Sequence, residues 1–410
     1  MRVLIVTDWN RGQGGAEAYI AWLRDGLRAA GDDVRLLTSG AGSAGDGTAD
    51  YVAYGTESIL AQTVLQVANP FAVRTLRTAL REFRPEVVFV NMFAHHLSPA
   101  ILHVLGRIPA VLSVSDFKCI CPIGSKLRPD GSICTTQAGW VCRSAGCIGS
   151  AHWLRDRPRY ALMRSGVARI DKVIACSEWV RRELGDAGID AVCEHLPVPG
   201  PSAAYRRSPS QHPLFVYCGR LDVEKGLEVL LRAFALTVDR EPSSRLRIVG
   251  RGRERERLEH LSAELGLDTS VVFTGWLDAA EVERELGSAW ALVAPSLWAE
   301  PLGLVALEAI VRGVPVIASA TGGFAETVEE GVSGNLVPNG DITALAARMT
   351  AVARAGSINS CIPPEAVRRI AERHSIGAHV TRIRRIFESL QNSTAPQRLR
   401  GSEKTRTDSW

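Results

Sequence analysis

The chain has 410 residues, 46% hydrophobic and 22% charged, which is the balance of a globular protein and excludes a disordered, collagen-like or disulfide-stapled one. At roughly 100–200 residues per domain this length implies two domains. A formal net charge of +4 supplies no large basic field, so no nucleic-acid partner is expected. The apolar run that ends at Asp8 is shorter than the about 7–15 residues of a signal peptide or the about 20 of a membrane span, and no later stretch reaches that length without a charge or a turn signal. A cytoplasmic location without a transmembrane segment is therefore expected. Nine cysteines, an odd number, argue against a disulfide framework. Only five of the 48 basic residues are lysines, so a lysine at a motif position carries extra weight.

Apolar runs alternate with helix-period segments from one end to the other. Residues 2–7 read as a buried strand, followed by a glycine-rich turn from Arg11 to Gly15. A helix over about 16–30 puts Ile20, Leu23 and Leu27 on one face and ends at Gly31. Strands follow at 34–38, 86–90, 110–114 and 172–175. The segment 197–213 carries five prolines and little periodicity, which marks the domain boundary. A strand at 214–218 then leads to a helix with Leu227, Leu230, Leu231 and Phe234 on one face, and further strands fall at 245–249, 271–273, 291–294 and 314–318. This alternation predicts an α/β fold of two βαβ domains, residues 1–200 and 210–375, with ligands at the carboxyl ends of parallel strands. Residues 391–410 are polar and aperiodic and read as a disordered tail.

Three signals in the second half point to a phosphorylated, hydroxyl-rich ligand. Gly219-Arg-Leu-Asp-Val-Glu-Lys-Gly226 follows a strand and opens a helix, so backbone N–H groups, Arg220 and Lys225 together suit an anion. The other reading is a surface turn with solvated charges. Glu300-Pro-Leu-Gly-Leu-Val-Ala-Leu-Glu308 places two carboxylates after a strand, where they can accept hydrogen bonds from ligand hydroxyls; a helix-dipole contact for Glu300 and a solvated Glu308 is the alternative. Ala320-Thr-Gly-Gly-Phe-Ala-Glu326 adds a glycine pair that allows close backbone approach, followed by Gly331 to Asn335.

Taken in order, the Arg220–Lys225 signature, the Glu300/Glu308 pair and the Gly322-Gly323-x-x-Glu326 turn resemble the retaining GT-B glycosyltransferases of family 4. The resemblance covers roughly residues 1–390 and is strongest over 214–340. It implies two Rossmann-like domains facing a cleft, with a helix over about 376–390 crossing back to the first, and transfer of a hexose-type sugar from a nucleoside-diphosphate sugar to an acceptor hydroxyl. Arg220 and Lys225 would hold the diphosphate and stabilise the leaving group. Glu300 and the backbone of Pro301, Leu302, Gly303 and Leu304 would read sugar hydroxyls, Glu308 the ribose, and Trp276 and Leu277 would line the base. Gly219 would approach the phosphates, as would Gly14 and Gly15 of the first-domain glycine loop. UDP is the implied nucleotide. The chain has no Asp-x-Asp, and the resemblance implies transfer without a metal or other cofactor on the diphosphate.

The first half supplies acceptor-side candidates. Glu17 follows the glycine loop and reads equally as a first-turn helix residue. Relatives often carry His-Asp where this chain has Ser115-Asp116, and a serine cannot be charged near neutral pH. Asp116, His95 and His96 are the candidate replacements, although loop histidines are more often surface residues. The acceptor is left open between a saccharide, a lipid-linked sugar and a natural product.

Cys119, Cys121, Cys134, Cys142 and Cys147 place five of the nine cysteines within 29 residues. Clustered thiols in a cytosolic chain suggest a structural zinc held by Cys121, Cys134, Cys142 and Cys147, with Cys119 spare. The spacing lacks a paired C-x₂-C, so thiol redox pairing, an iron–sulfur cluster and unliganded thiols stay as alternatives. A similar cysteine pattern resembles that of a subset of the family. Cys176, Cys193, Cys218 and Cys361 read as core. Arg155, Arg157, Arg159 and Arg164 form a basic run that reads as a solvated helix face, with peripheral contact to anionic lipid as the alternative. The competing functions are a sugar-nucleotide epimerase or hydrolase, and a non-catalytic nucleotide-sugar or metal binder. A nicotinamide enzyme is disfavoured because G-x-G-x-x-G does not follow the first strand.

Overall fold

The computed structural model describes residues 1–8, 14–41, 48–356 and 361–393. The chain divides into two compact units: one of residues 1–130, 134–195 and the segment from Ile376 onward, the other of residues 131–133 and 196–375.

In the first unit the strands are β1 (Arg2–Val6), β2 (Asp33–Ser39), β3 (Tyr51–Ala53), β4 (Val87–Asn91), β5 (Ala110–Val114), β6 (Lys172–Ala175) and β7 (Val192–Cys193). Among the described residues they form one parallel sheet in the order β3-β2-β1-β4-β5-β6-β7. Val3 to Val6 and Val87 to Val90 are fully buried, as unbroken apolar runs must be when helices cover both sheet faces. The order reverses between β1 and β4, which sets the ends of those strands, Asp8 and Asn91, at the switch point where such sheets bind ligands. The edge strands β3 and β7, three and two residues long, are too short to show a periodicity in sequence.

The helix Ile376–Ser393 belongs to this unit, packed on the helix Gly15–Ala29. Val380, Ile383 and Phe387 are buried along it, and Tyr19 Oη lies 3.1 Å from His379 Nε2. Gly26 admits this crossing, since a Cβ there would stand 2.6 Å from Val380 Cγ2. Residues 391–393 are therefore helical, and the remainder of the expected tail, 394–410, lies outside the described residues.

The second unit holds β8 (Leu214–Cys218), β9 (Arg245–Val249), β10 (Val271–Gly275), β11 (Ala291–Ala294), β12 (Val316–Ser319) and β13 (Gly334–Val337). They form a parallel sheet in the order β10-β9-β8-β11-β12-β13, which reverses between β8 and β11. Phe215, Leu230, Leu231, Phe234, Leu246, Ile248 and Met349 are fully buried in its core. β12 starts later than sequence periodicity placed it, because Pro315 has no N–H to contribute to the ladder. β13 went unrecognised behind its turn-like glycines. Gly334 is required there, since a Cβ would lie 2.0 Å from Val316 O.

The proline-rich segment is a strap on the second unit rather than a free linker. Ser208 and Ser210 donate their N–H groups to Gly287 O and Ser288 O, each at 2.9 Å, and Tyr205 Oη donates to Arg312 O at 2.7 Å. The boundary falls at its head, between His195 and Leu196.

Candidate active site

In the second unit, loops at the carboxyl ends of four strands, β8, β10, β11 and β12, carry the residues singled out by sequence. The loop after β8 is locked to the loop after β11. Gly226, at φ +71°, leaves no room for a side chain, as a Cβ would meet Pro295 O at 2.0 Å, and Leu297 N donates to Glu224 O at 2.9 Å. This brings Lys225 onto Glu300, with Nζ at 3.1 and 2.9 Å from the two carboxylate oxygens. Trp298 Nε1 and Ser296 Oγ donate to Glu300 Oε2 at 2.8 and 3.1 Å, and Lys225 Nζ lies 4.9 Å from the Trp298 ring centroid. Burial alone would raise the Glu300 carboxyl, but Lys225 and these donors hold it below the usual carboxylate range.

The glycine pair after β12 is explained by the same segment. A Cβ on Gly322 would lie 2.2 Å from Glu300 O, and one on Gly323 2.4 Å from Leu302 Cα. Gly323 N donates to Glu300 O at 2.6 Å, so the two glycines fix the backbone that presents Glu300, Pro301 and Leu302. Gly303, at φ +82°, then starts the short helix Leu304–Ile310, which carries Glu308. The Glu308 carboxylate makes no hydrogen bond or ion pair among the described residues; the neighbouring Arg312 is paired with Glu283 at 2.7 Å. Burial lifts the Glu308 carboxyl above the usual range, partly offset by Arg312. It is a carboxylate in need of donors.

Arg220 and Lys225 are not the two uncompensated charges that their spacing suggested. Arg220 pairs with Asp222 and, at 3.0 Å, with Glu224, while Lys225 pairs with Glu300. Arg220 is half exposed, whereas Lys225 is largely enclosed. Gly219 leads into this loop after β8, with Tyr217 Oη donating to Arg220 O at 2.6 Å. Trp276 and Leu277 follow β10 directly; Trp276 is exposed, and the Arg251 guanidinium lies 5.6 Å from its ring.

Arg251 belongs to a motif that sequence reasoning missed, Gly250-Arg-Gly-Arg253 after β9. A Cβ on Gly250 would meet Gly219 O at 1.8 Å and one on Gly252 would meet Leu221 O at 2.3 Å. Leu221 N donates to Arg251 O at 3.0 Å. A G-x-G immediately after a strand was the available signal, hidden in a run of charged residues.

In the first unit, β4 and β5 end around a small cavity of about 20 Å³ lined by His95, Ser115, Asp116, Lys118 and Cys119 among others. Three of the acceptor-side candidates thus share one cavity. Asp8 organises its rim: its carboxylate accepts from the backbone N–H groups of His95, His96 and Leu97 at 2.6, 3.0 and 2.8 Å. Burial raises the Asp8 carboxyl to about 7 against those three donors. Burial, with Lys118 and Arg159 nearby, lowers His95 to about 3, and burial lowers His96 as well. Both histidines are therefore enclosed neutral groups rather than surface residues. Burial also raises Asp116, opposed by Lys118 and Arg159. Ser115 Oγ is buried without a hydrogen-bond partner among the described residues, as are both side-chain atoms of Asn91 at the end of β4.

Gly14 caps the helix Gly15–Ala29, and a Cβ there would lie 2.6 Å from Glu17 Oε2, so Glu17 folds back over the helix start. The preceding turn, residues 9–13, lies outside the described residues. Arg159 departs from the solvated face expected of the basic run, being buried with Asp156 and donating to Ala94 O at 2.7 Å. All nine cysteines are free thiols, and Cys361 is exposed rather than core. Among the described residues no three sulfurs of Cys121, Cys134, Cys142 and Cys147 lie within 4.8 Å of one another.

Residues 14–199 match the glycosyl transferase 4-like domain, and residues 204–360 match glycosyl transferases group 1. The chain is thus similar, in that order, to a glycosyl transferase 4-like domain and to a glycosyl transferases group 1 domain. The two matched segments correspond to the two parallel sheets. The chain is 34% identical over 206 residues to the GDP-mannose-dependent alpha-(1-6)-phosphatidylinositol monomannoside mannosyltransferase of Mycolicibacterium smegmatis. That segment covers 46% of this chain and 54% of the relative, so the chain spans about half the length of that curated relative, and 30% and 37% of two others. Sucrose-phosphate synthase from Thermosynechococcus elongatus superposes with a TM-score of 0.73 at 21% identity, covering 96% of this chain and 99% of that one. Anabaena HepE in complex with UDP-glucose superposes with a TM-score of 0.68 at 19% identity, covering 95% and 100%. These likenesses give the GT-B fold. No helix among the described residues is long and apolar enough to cross a membrane.

Proposed function

We propose that this protein transfers a hexose-type sugar from a nucleoside-diphosphate sugar to an acceptor hydroxyl with retention at the anomeric carbon. The observation that carries the reading is the Glu308 carboxylate, which has no hydrogen-bond or ion-pair partner among the described residues and lies on the helix that follows Glu300, itself paired with Lys225 from the loop after β8. A carboxylate open to hydroxyl donors, in the same unit as an enclosed lysine, suits a ribose and a diphosphate. Lys225 and Arg220 would take the diphosphate, Arg220 by leaving Asp222 and Glu224. As the glycosidic bond breaks, charge grows on the departing phosphate, where an enclosed ammonium is most effective. Glu300, released from part of its hold on Lys225, would accept from the sugar hydroxyls. Gly219 and Gly303 keep the backbone open, and Trp276 and Leu277 offer a surface for the base. Glu17 and the cavity of His95, Ser115 and Asp116 form the acceptor side of this reading.

UDP is the proposed nucleotide, in keeping with the UDP-glucose of the Anabaena neighbour, while the Mycolicibacterium relative is named for GDP-mannose. The test is incubation with UDP-, GDP-, ADP- and dTDP-sugars and a panel of saccharide, lipid-linked and small hydroxyl acceptors, with the product identified by NMR. A new glycoside with the donor's anomeric configuration supports the reading. An isomerised nucleotide sugar, free sugar alone or an inverted glycoside overturns it.

A further inference from the structure

The segment from Gly131 to Ile170 gathers the positive charge of the chain. Six arginines stand there against one acidic residue, Asp156, a local charge of +5 in a chain whose total is +4. Asp156 does not mask that charge at the surface, because it is buried, with Arg155 Nε at 2.8 Å and Arg159 beside it. The same segment exposes two large apolar side chains, Trp140 at 58% and Leu154 at 65%. The helical turn Trp140–Ser144 is docked on the start of the helix Ser150–Val167: the Trp140 and Trp153 rings meet edge to face at 5.2 Å, and Arg143 Nε donates to Ser150 Oγ at 3.0 Å. The Arg143 guanidinium lies 4.7 Å from the Trp140 ring centroid, and that of Arg157 lies 5.2 Å from the Trp153 centroid. Leu154, Arg157, Ala161 and Arg164 then follow at i, i+3, i+7 and i+10, all exposed, on one helix face about 15 Å long. The opposite face is anchored, with Arg159 donating to Ala94 O at 2.7 Å and Tyr160 Oη to Lys118 O at 3.2 Å, so the exposed face is held in a fixed direction.

We propose that this face, Trp140 and Leu154 flanked by Arg143, Arg157 and Arg164, docks the protein on a membrane surface rich in anionic phospholipid. The charge fits the phosphates of such a surface, which guanidinium groups grip in bidentate fashion. Stacking on an aromatic face leaves the N–H fork of an arginine available, so Arg143 and Arg157 are presented without losing their donors. An indole suits the headgroup level of a bilayer, and an aliphatic side chain beside it suits the acyl boundary below. A nucleic acid would use the arginines but not Leu154, which neither stacks on a base nor bonds a phosphate. The contact is interfacial, since no helix among the described residues is long and apolar enough to cross a membrane. Two inserted side chains and a few arginines make a reversible contact that salt weakens.

The experiment is sedimentation of the full-length protein with vesicles of phosphatidylcholine alone or of an equal mixture with phosphatidylglycerol. Binding to the anionic vesicles should be at least roughly tenfold tighter and should fall as salt is raised. Trp140→Ala combined with Leu154→Ala, and Arg143→Gln combined with Arg157→Gln, should each weaken it by roughly tenfold. Arg240→Gln combined with Arg368→Gln removes the same charge from exposed positions of the second unit and should change binding by less than about twofold. Lipids with brominated acyl chains should quench part of the tryptophan emission, and Trp140→Phe should reduce that quenching, which a purely electrostatic contact would not show. The two vesicle types decide on the wild-type protein alone where a variant fails to fold. Equal binding to both vesicle types, no binding to the anionic vesicles whether or not an oligonucleotide is retained, or equal losses from the two arginine pairs would each overturn the proposal. Vesicle binding depends on no step of the transfer, so its failure is distinguishable from failure of the transferase reading.

Discussion

Lys225 Nζ lies 2.9 and 3.1 Å from the two carboxylate oxygens of Glu300, a contact made between residues 75 apart in sequence. Each group is held by more than the other, Glu300 by Trp298 and Ser296, and Lys225 by the Trp298 ring. The pair therefore behaves as one unit.

Lys225→Ala should lower stability by about 1–3 kcal/mol, because it leaves a largely enclosed carboxylate without its countercharge. Lys225→Met combined with Glu300→Gln should recover most of that loss and still be inactive in transfer. Denaturant unfolding and a turnover assay on the same preparations check this, and stability losses that simply add would contradict it.

Gly322→Ala and Gly323→Ala should each cost about 3 kcal/mol or more and abolish transfer, since the added Cβ would strike the backbone of Glu300 or Leu302. Gly331 also has a positive φ but open space around it, so Gly331→Ala should cost only about 1 kcal/mol. Thermal melts of the three variants distinguish steric exclusion from simple backbone preference.

Two enclosed groups of the first unit, Asp8 and His95, should make stability respond to pH in opposite directions. Asp8 is raised from 3.8 to about 7, so the folded state holds a proton that the unfolded chain has released, and its contribution falls as pH rises from about 4 to about 7. His95 is lowered from 6.5 to about 3, so the unfolded chain takes up a proton first and stability falls as pH drops below about 6.5. Asp8→Asn should flatten the first trend and His95→Gln the second. Melting temperatures from pH 4 to 8 measure both, and an NMR titration should show the His95 ring unchanged between pH 5 and 8.

Much of the fold was legible because buried parallel strands are continuous apolar runs; β5, β6, β8, β9 and β11 fall where the sequence places them. What escaped had no such run. β3 and β7 are two or three residues long, and β13 begins with a glycine that a tight approach to Val316 demands. The motif residues were readable as positions, since Arg220, Lys225 and Glu300 lie on loops that follow strands and Glu308 lies on the helix after Glu300. Their electrostatics were not. Whether Lys225 is free or paired depends on a contact across 75 residues, and whether His95 can be charged depends on burial that no local spacing reports. Gly250 to Arg253 was overlooked because its charges resemble a solvated turn, although its glycines answer to the backbone of Gly219 and Leu221.

Glu308→Gln should weaken nucleoside-diphosphate binding roughly 10- to 100-fold with little change in stability, since the carboxylate now lacks a donor and gains one only with ligand. The raised Glu308 carboxyl further implies that wild-type binding tightens as pH rises through its titration and that the variant loses this dependence.

The most direct test of the central claim is calorimetric binding of UDP, GDP, ADP and dTDP to the wild-type protein, to Lys225→Ala and to Glu308→Gln. The site described here predicts that one diphosphate, UDP in this reading, binds well and that both variants weaken it by at least about tenfold. No binding of any diphosphate, or equal binding by all three proteins, would contradict it.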